Sequence, residues 1–184
     1  MSPGFRQLGE ELRYQGMLIS LTTATFEAPD GSTFERDVVH HPGAVSVVAV
    51  ESGPEGAHQV ILVRQYRAAI DADLLEVVAG KRDVAGEPPE VTAQRELAEE
   101  IGMTAGRLEL LAEFYNSPGF CDEHSFVFLG LDLEATAPEA HGIEEQYMTV
   151  ERIALADVGK LIASREIVDA KTIIGLTLAR DALA

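Results

Sequence analysis

Glu96, Glu99 and Glu100 fall within five consecutive positions of the stretch GKRDVAGEPPEVTAQRELAEEIGM, residues 80–103. On a helix, residues three and four apart are neighbours, so these carboxylates share one edge while Leu97 and Ile101 occupy an adjoining apolar face. Like charges so placed repel by roughly a few tenths of a kcal/mol per exposed pair, and by more where water is excluded. In return, the cluster offers converging oxygen donors, which is the ligand chemistry of a hard divalent cation. Mg²⁺ keeps several waters, takes few carboxylates and is completed by substrate phosphates, so the pattern points to chemistry on a phosphate. Arg95, one turn before Glu99, has the charge and spacing to hold that carboxylate's orientation.

The elements around the cluster follow from local pattern. Pro88 and Pro89 suit a first helical turn and Gly102 a stop, which predicts a helix from about Pro88 to Ile101. Upstream, alternation over Gly16–Glu27 and Thr33–His41, joined by the turn sequence PDGS, predicts an antiparallel hairpin. AVSVVAVES, VILVRQYR and LLEVVAG read as three strands ahead of the helix; LELLAEFY, HSFVFLGLDL and TVERIAL read as strands after it. LADVGKLIASREI and AKTIIGLTLARDAL read as two C-terminal helices. The expected architecture is therefore a mixed α/β domain over residues 44–184, preceded by a small antiparallel β subdomain over residues 1–43. A hairpin that small is only marginally stable alone, which predicts a homodimer assembled through it.

Composition narrows the partners. The chain has 184 residues, 46% hydrophobic and 24% charged, as expected for one well-packed domain. Thirty-one acidic residues against 14 Lys and Arg give a formal net charge of −17, with no basic patch. This balance argues against a nucleic-acid or anionic-membrane partner. Cys121 is the only cysteine, so no intrachain disulfide can form and a reducing compartment is favoured. With no signal-peptide pattern and no apolar run of membrane-spanning length, a cytoplasmic location is expected. His40 and His41, adjacent on a strand, point to opposite faces, and the histidines make no zinc spacing with Cys121.

Gly80, Glu87, Arg95, Glu96, Leu97, Glu99, Glu100, Gly102 and Met103 resemble the signature of the Nudix hydrolases: Gly, five residues, Glu, seven residues, then Arg-Glu-aliphatic-x-Glu-Glu-x-Gly-aliphatic. From Glu87 onward the match is complete. Six residues, Lys81 to Gly86, separate Gly80 from Glu87 where the common pattern has five, a difference that a loop bulge can absorb. The resemblance implies an α/β/α sandwich with a mixed sheet, and hydrolysis of a nucleoside diphosphate linked to another moiety. It further implies Mg²⁺, with Mn²⁺ as an alternative, held by Glu96, Glu99, Glu100 and the carbonyl of Ala79, with Glu87 and Arg95 orienting the cluster.

Three further stretches resemble the ADP-ribose pyrophosphatase branch of that family. FERDVVHHPGAV resembles the passage from an N-terminal sheet into the catalytic domain. VRQYR followed by LLEVVAGK resembles the strand pair before the signature, although Val78 stands where Pro is usual. Pro118 lies sixteen residues past Gly102, close to where a proline marks ADP-ribose specificity. The resemblance makes Arg36, Arg67, Glu76 and Pro118 candidate substrate contacts; Arg can stack on a ring and bind phosphate bidentately. A water deprotonated by a carboxylate would attack phosphorus, releasing AMP and ribose 5-phosphate. The base would be Glu144 or Glu145 in the acidic stretch HGIEEQYM, with Glu99 the alternative. Another nucleoside diphosphate sugar or a dinucleotide as substrate, and a nucleotide-sensing module without catalysis, are the competing readings.

Overall fold

The computed structural model describes residues 4–54, 57–136 and 147–184. Its N-terminal part has three strands where the alternation pattern predicted two: β1 (Arg6–Gln15), β2 (Ser20–Glu27) and β3 (Thr33–His40), antiparallel and in that order. All ten residues of β1 are exposed. With no buried face it leaves no apolar period to read, and its sequence RQLGEELRYQ therefore escapes pattern analysis.

The chain divides into two compact units, one running through Gly43 and including Phe114–Ser125, the other formed by Ala44–Glu113 and Phe126–Ala184. In the first, the Phe114–Ser125 segment is tied to the end of β3: Val39 donates to the Phe120 carbonyl at 2.7 Å and Asp122 donates back to the Val39 carbonyl at 3.1 Å. His40 joins them, its Nδ1 2.6 Å from Asp122 and its Nε2 3.2 Å from Glu10.

The second unit is built on a seven-stranded mixed sheet. Its strands are β4 (Ala44–Ser52), β5 (His58–Arg67), β6 (Ala72–Glu76), β7 (Val78–Lys81), β8 (Met103–Tyr115), β9 (His124–Ala135) and β10 (Thr149–Ala154). The main path runs β10-β5-β4-β9-β8, with β6 on β5 and β7 on β4. The run LLEVVAG, expected to be one strand, is thus two, because the chain changes partner at Val77. α1 (Pro89–Ile101) lies between β7 and β8 in sequence, and α2 (Val158–Ala163) and α3 (Ala170–Ala182) close the chain. The predicted long helix over LADVGKLIASREI is only a 3-10 turn followed by six residues of α2. Arg165, in the left-handed conformation at φ 65°, ends it, and the amides of Glu166 and Ile167 fold back onto the Leu161 carbonyl.

β4 shows why the fold is layered. Val45, Val47 and Ala49 belong to one apolar cluster with Ala93 and Leu97 of α1. Val48, of opposite parity, approaches Gly175 of α3 so closely that a Cβ there would lie 2.9 Å from its Cγ2. Alternate strand residues face opposite ways, so α1 and α3 cover opposite faces of the sheet, an α/β/α sandwich. α1 begins at the extended Pro88 and stops at Gly102, whose φ of 64° is cheap only for glycine.

Candidate active site

The helix presents its acidic edge as the spacing predicts, and a single guanidinium organises most of it. Arg95 Nη1 lies 2.8 Å from Glu96 Oε1 and 3.3 Å from Glu99 Oε2, while Nη2 lies 3.7 Å from both Glu87 Oε2 and Asp83 Oδ1. Burial works against the Arg95 charge, but Glu96, Glu99, Glu87 and Asp83 outweigh it and raise its pKa above the ordinary arginine value. The Thr92 hydroxyl donates to Glu87 at 2.6 Å, so Glu87 is fixed from the helix as well.

Strand β7 supplies the opposing wall. The Ala79 amide donates to Glu100 Oε2 at 3.2 Å. A strand residue's N–H and C=O point to the same edge, so the Ala79 carbonyl shares the edge that meets Glu100. Gly80 lies against Glu96: a Cβ at position 80 would fall 1.8 Å from the Glu96 carboxyl carbon. Only glycine lets backbone and carboxylate coexist there, which gives the signature glycine a steric cause despite the longer loop behind it. Glu96 is 7% exposed.

As placed, no three acidic, His or Cys side chains among the described residues are grouped tightly enough to ligate one ion. Arg95 draws Glu96 and Glu99 to itself while Glu100 turns to the Ala79 amide. The donor set nonetheless fits a hard cation: hard oxygens on two facing elements, and a cradle at Gly80 that any side chain would fill.

The other candidates form two further groups. Glu76 is 1% exposed and takes a bidentate bond from Arg67, Nε at 2.7 Å and Nη2 at 2.6 Å. Lys171 Nζ also bonds its Oε2 and stands 2.9 Å from Asp169. The bond to Glu76 raises the Arg67 pKa against the opposing effect of burial, and the charges of Glu76, Glu100 and Asp169 add to it. Arg36 and Pro118 both line a cavity of about 360 Å³ with Phe26, Val38, Tyr115 and Phe120 in the first unit. The Arg36 guanidinium lies 4.8 Å from the centre of the Phe34 ring and donates to the Glu35 carbonyl. Glu144 and Glu145 lie outside the described residues.

Sequence reading passed over Asp169, Lys171, Thr172, Thr92 and Asp83. The DAKT run carried a local signal, an Asp three residues before Thr at a helix start; Asp169 indeed caps α3 by accepting from the Thr172 amide. The pairing of Lys171 with Glu76, 95 residues apart, has no local signal.

The carboxylate helix facing a glycine-bearing strand in an α/β/α sandwich agrees with the NUDIX domain model, which matches residues 39–170; the chain belongs to the Nudix family. Among curated proteins it is 40% identical to an ADP-ribose pyrophosphatase of Bacillus subtilis over 91% of this chain and 88% of the relative. It is 36% identical to an ADP-ribose pyrophosphatase of Mycobacterium tuberculosis over 94% and 81%. A methanol dehydrogenase activator of Bacillus methanolicus is 34% identical over 89% and 85%. A solved structure of an ADP compounds hydrolase superposes with a TM-score of 0.83, covering 98% of this chain and 94% of that one at 22% identity; it shares the fold.

Proposed function

We propose that this chain hydrolyses ADP-ribose to AMP and ribose 5-phosphate with the help of Mg²⁺ or Mn²⁺. The observation that carries the reading is the complete acidic edge, Glu96, Glu99 and Glu100, set against Ala79 and Gly80. Two similar proteins named ADP-ribose pyrophosphatase, matched over most of the chain, support the substrate.

Glu96, Glu99, Glu100 and the Ala79 carbonyl would hold the cation, which, when bound, withdraws charge from the diphosphate and stabilises the transition state. Arg95 and Glu87 keep the carboxylates oriented. Glu144 or Glu145, with Glu99 the alternative, takes a proton from water; the water oxygen bonds to phosphorus as the bridging P–O bond breaks and its electron pair leaves on the departing phosphate oxygen, so one water is consumed in making two monophosphates. Arg67, held charged by the buried Glu76, supplies positive charge for the substrate phosphates. Arg36 and Pro118 are proposed substrate contacts. The working form is a cytoplasmic homodimer.

The test is release of the nucleoside monophosphate with Mg²⁺ across ADP-ribose, GDP-mannose, other nucleoside diphosphate sugars and a diadenosine polyphosphate. GDP-mannose is included because pyrophosphatases of that name match 62% of the chain at 33% identity. ADP-ribose should stand among the best by kcat/KM and chelation should abolish turnover; a clear preference for another compound overturns the substrate assignment.

A further inference from the structure

At Val77 the chain leaves β5, to which β6 is paired, and joins β4 as β7. The Val77 amide donates instead to the Thr172 hydroxyl at 3.0 Å, on the first turn of α3. That hydroxyl is used twice, since it donates in turn to Asp169 Oδ2 at 2.6 Å, and Thr172 is wholly buried. One residue earlier, the buried Glu76 carboxylate is held by Lys171 of the same turn, and Lys171 is backed by Asp169.

We infer that Asp169, Lys171 and Thr172 form a buckle that positions the active-site strand: they are positioning residues for the hydrolysis, acting through Glu76 and Val77 on Ala79 and Gly80. Ala79 lies two residues past Val77, about 7 Å along a strand, and Gly80 is next. Those two residues are the wall against which Glu100 and Glu96 are set. A shift at Val77 therefore reaches the carboxylates with no intervening loop to absorb it. The same buckle restrains Glu76, the bidentate partner of Arg67. The inference rests on the reading that Glu96 and Glu100 serve the reaction.

The decisive variant is Thr172→Val, which keeps the shape of the side chain and removes both hydrogen bonds, with Thr172→Ser as the rescue. Thr172→Val should lower kcat for ADP-ribose by about 10- to 100-fold, the scale of a misplacement near 1 Å, with KM within about twofold. Thr172→Ser should return kcat to within about threefold of wild type. Hydrogen exchange gives a readout independent of substrate: the Ala79 amide should exchange at least about tenfold faster in Thr172→Val while β4 amides keep their protection. Should Thr172→Val not fold, Lys171→Met against Lys171→Arg carries the same comparison. Unchanged exchange at Ala79, or an equal loss of kcat in Thr172→Ser, overturns the buckle. A wild-type chain that leaves ADP-ribose intact overturns the substrate assignment alone, and the exchange experiment still decides the buckle.

Discussion

Arg95 resolves the electrostatic problem that the three glutamates pose. Its guanidinium stands 2.8 Å from Glu96 and 3.3 Å from Glu99, so mutual repulsion is offset within the helix itself. Arg95, Glu96 and Glu99 are close in sequence, and for that reason this part of the site is legible from spacing alone. Glu76 is legible only as a position in a resemblance, because burial and a partner 95 residues away leave no periodic trace. Gly80 offers the sharpest test at this scale. In Gly80→Ala the new methyl would overlap the Glu96 carboxylate, and the side chain must swing out of its bond with Arg95. A displaced side-chain end is tolerable to the fold, so the melting temperature should fall by only a few degrees, equivalent to about 1 kcal/mol. Activity should fall by about 100-fold or more. Near-normal kcat/KM in Gly80→Ala would show that the close approach is not needed for turnover.

Among the elements, those with a buried face were readable, and those without were not. β2 and α1 declare themselves by period and β4, buried on both faces, by its continuous apolar run; β1, exposed along its whole length, and the break at Val77, which depends on α3, do not. The three-stranded sheet also carries a pH-dependent clasp. Both ring nitrogens of His40 face carboxylates, Asp122 and Glu10. The hydrogen bond to Asp122 raises the His40 pKa; burial opposes this, and the charges of Asp122 and Glu10 reinforce it. A folded-state pKa above the unfolded one adds stability that is complete below about pH 6.5 and is lost as pH rises through the higher folded value. Urea midpoints measured from about pH 6 to about pH 9 should therefore decline in the wild type and decline less in His40→Asn. Parallel pH profiles for the two proteins would refute the clasp.

For the whole molecule, the −17 charge and the exposed strand β1 pull in opposite directions. Leu8, Leu12 and Tyr14 are 46%, 57% and 61% exposed in the isolated chain, a surface that a second copy would cover, whereas the net charge favours separation. The proposed dimer should give a solution mass twice the 19.8 kDa of one chain at micromolar concentration and about 0.15 M salt. Leu12→Glu should halve that mass, and a monomeric wild type under light scattering would end the proposal. Among the described residues no helix is long and apolar enough to cross a membrane. The tie between Glu76 and Lys171 has a consequence for biosynthesis. A ribosome has translated the whole signature by Met103, yet Lys171 and Thr172, which hold Glu76 and the Val77 amide in the folded chain, are then still to be made. The nascent chain thus holds every residue of the carboxylate helix long before it can hold them in place, and its activity should begin late in synthesis.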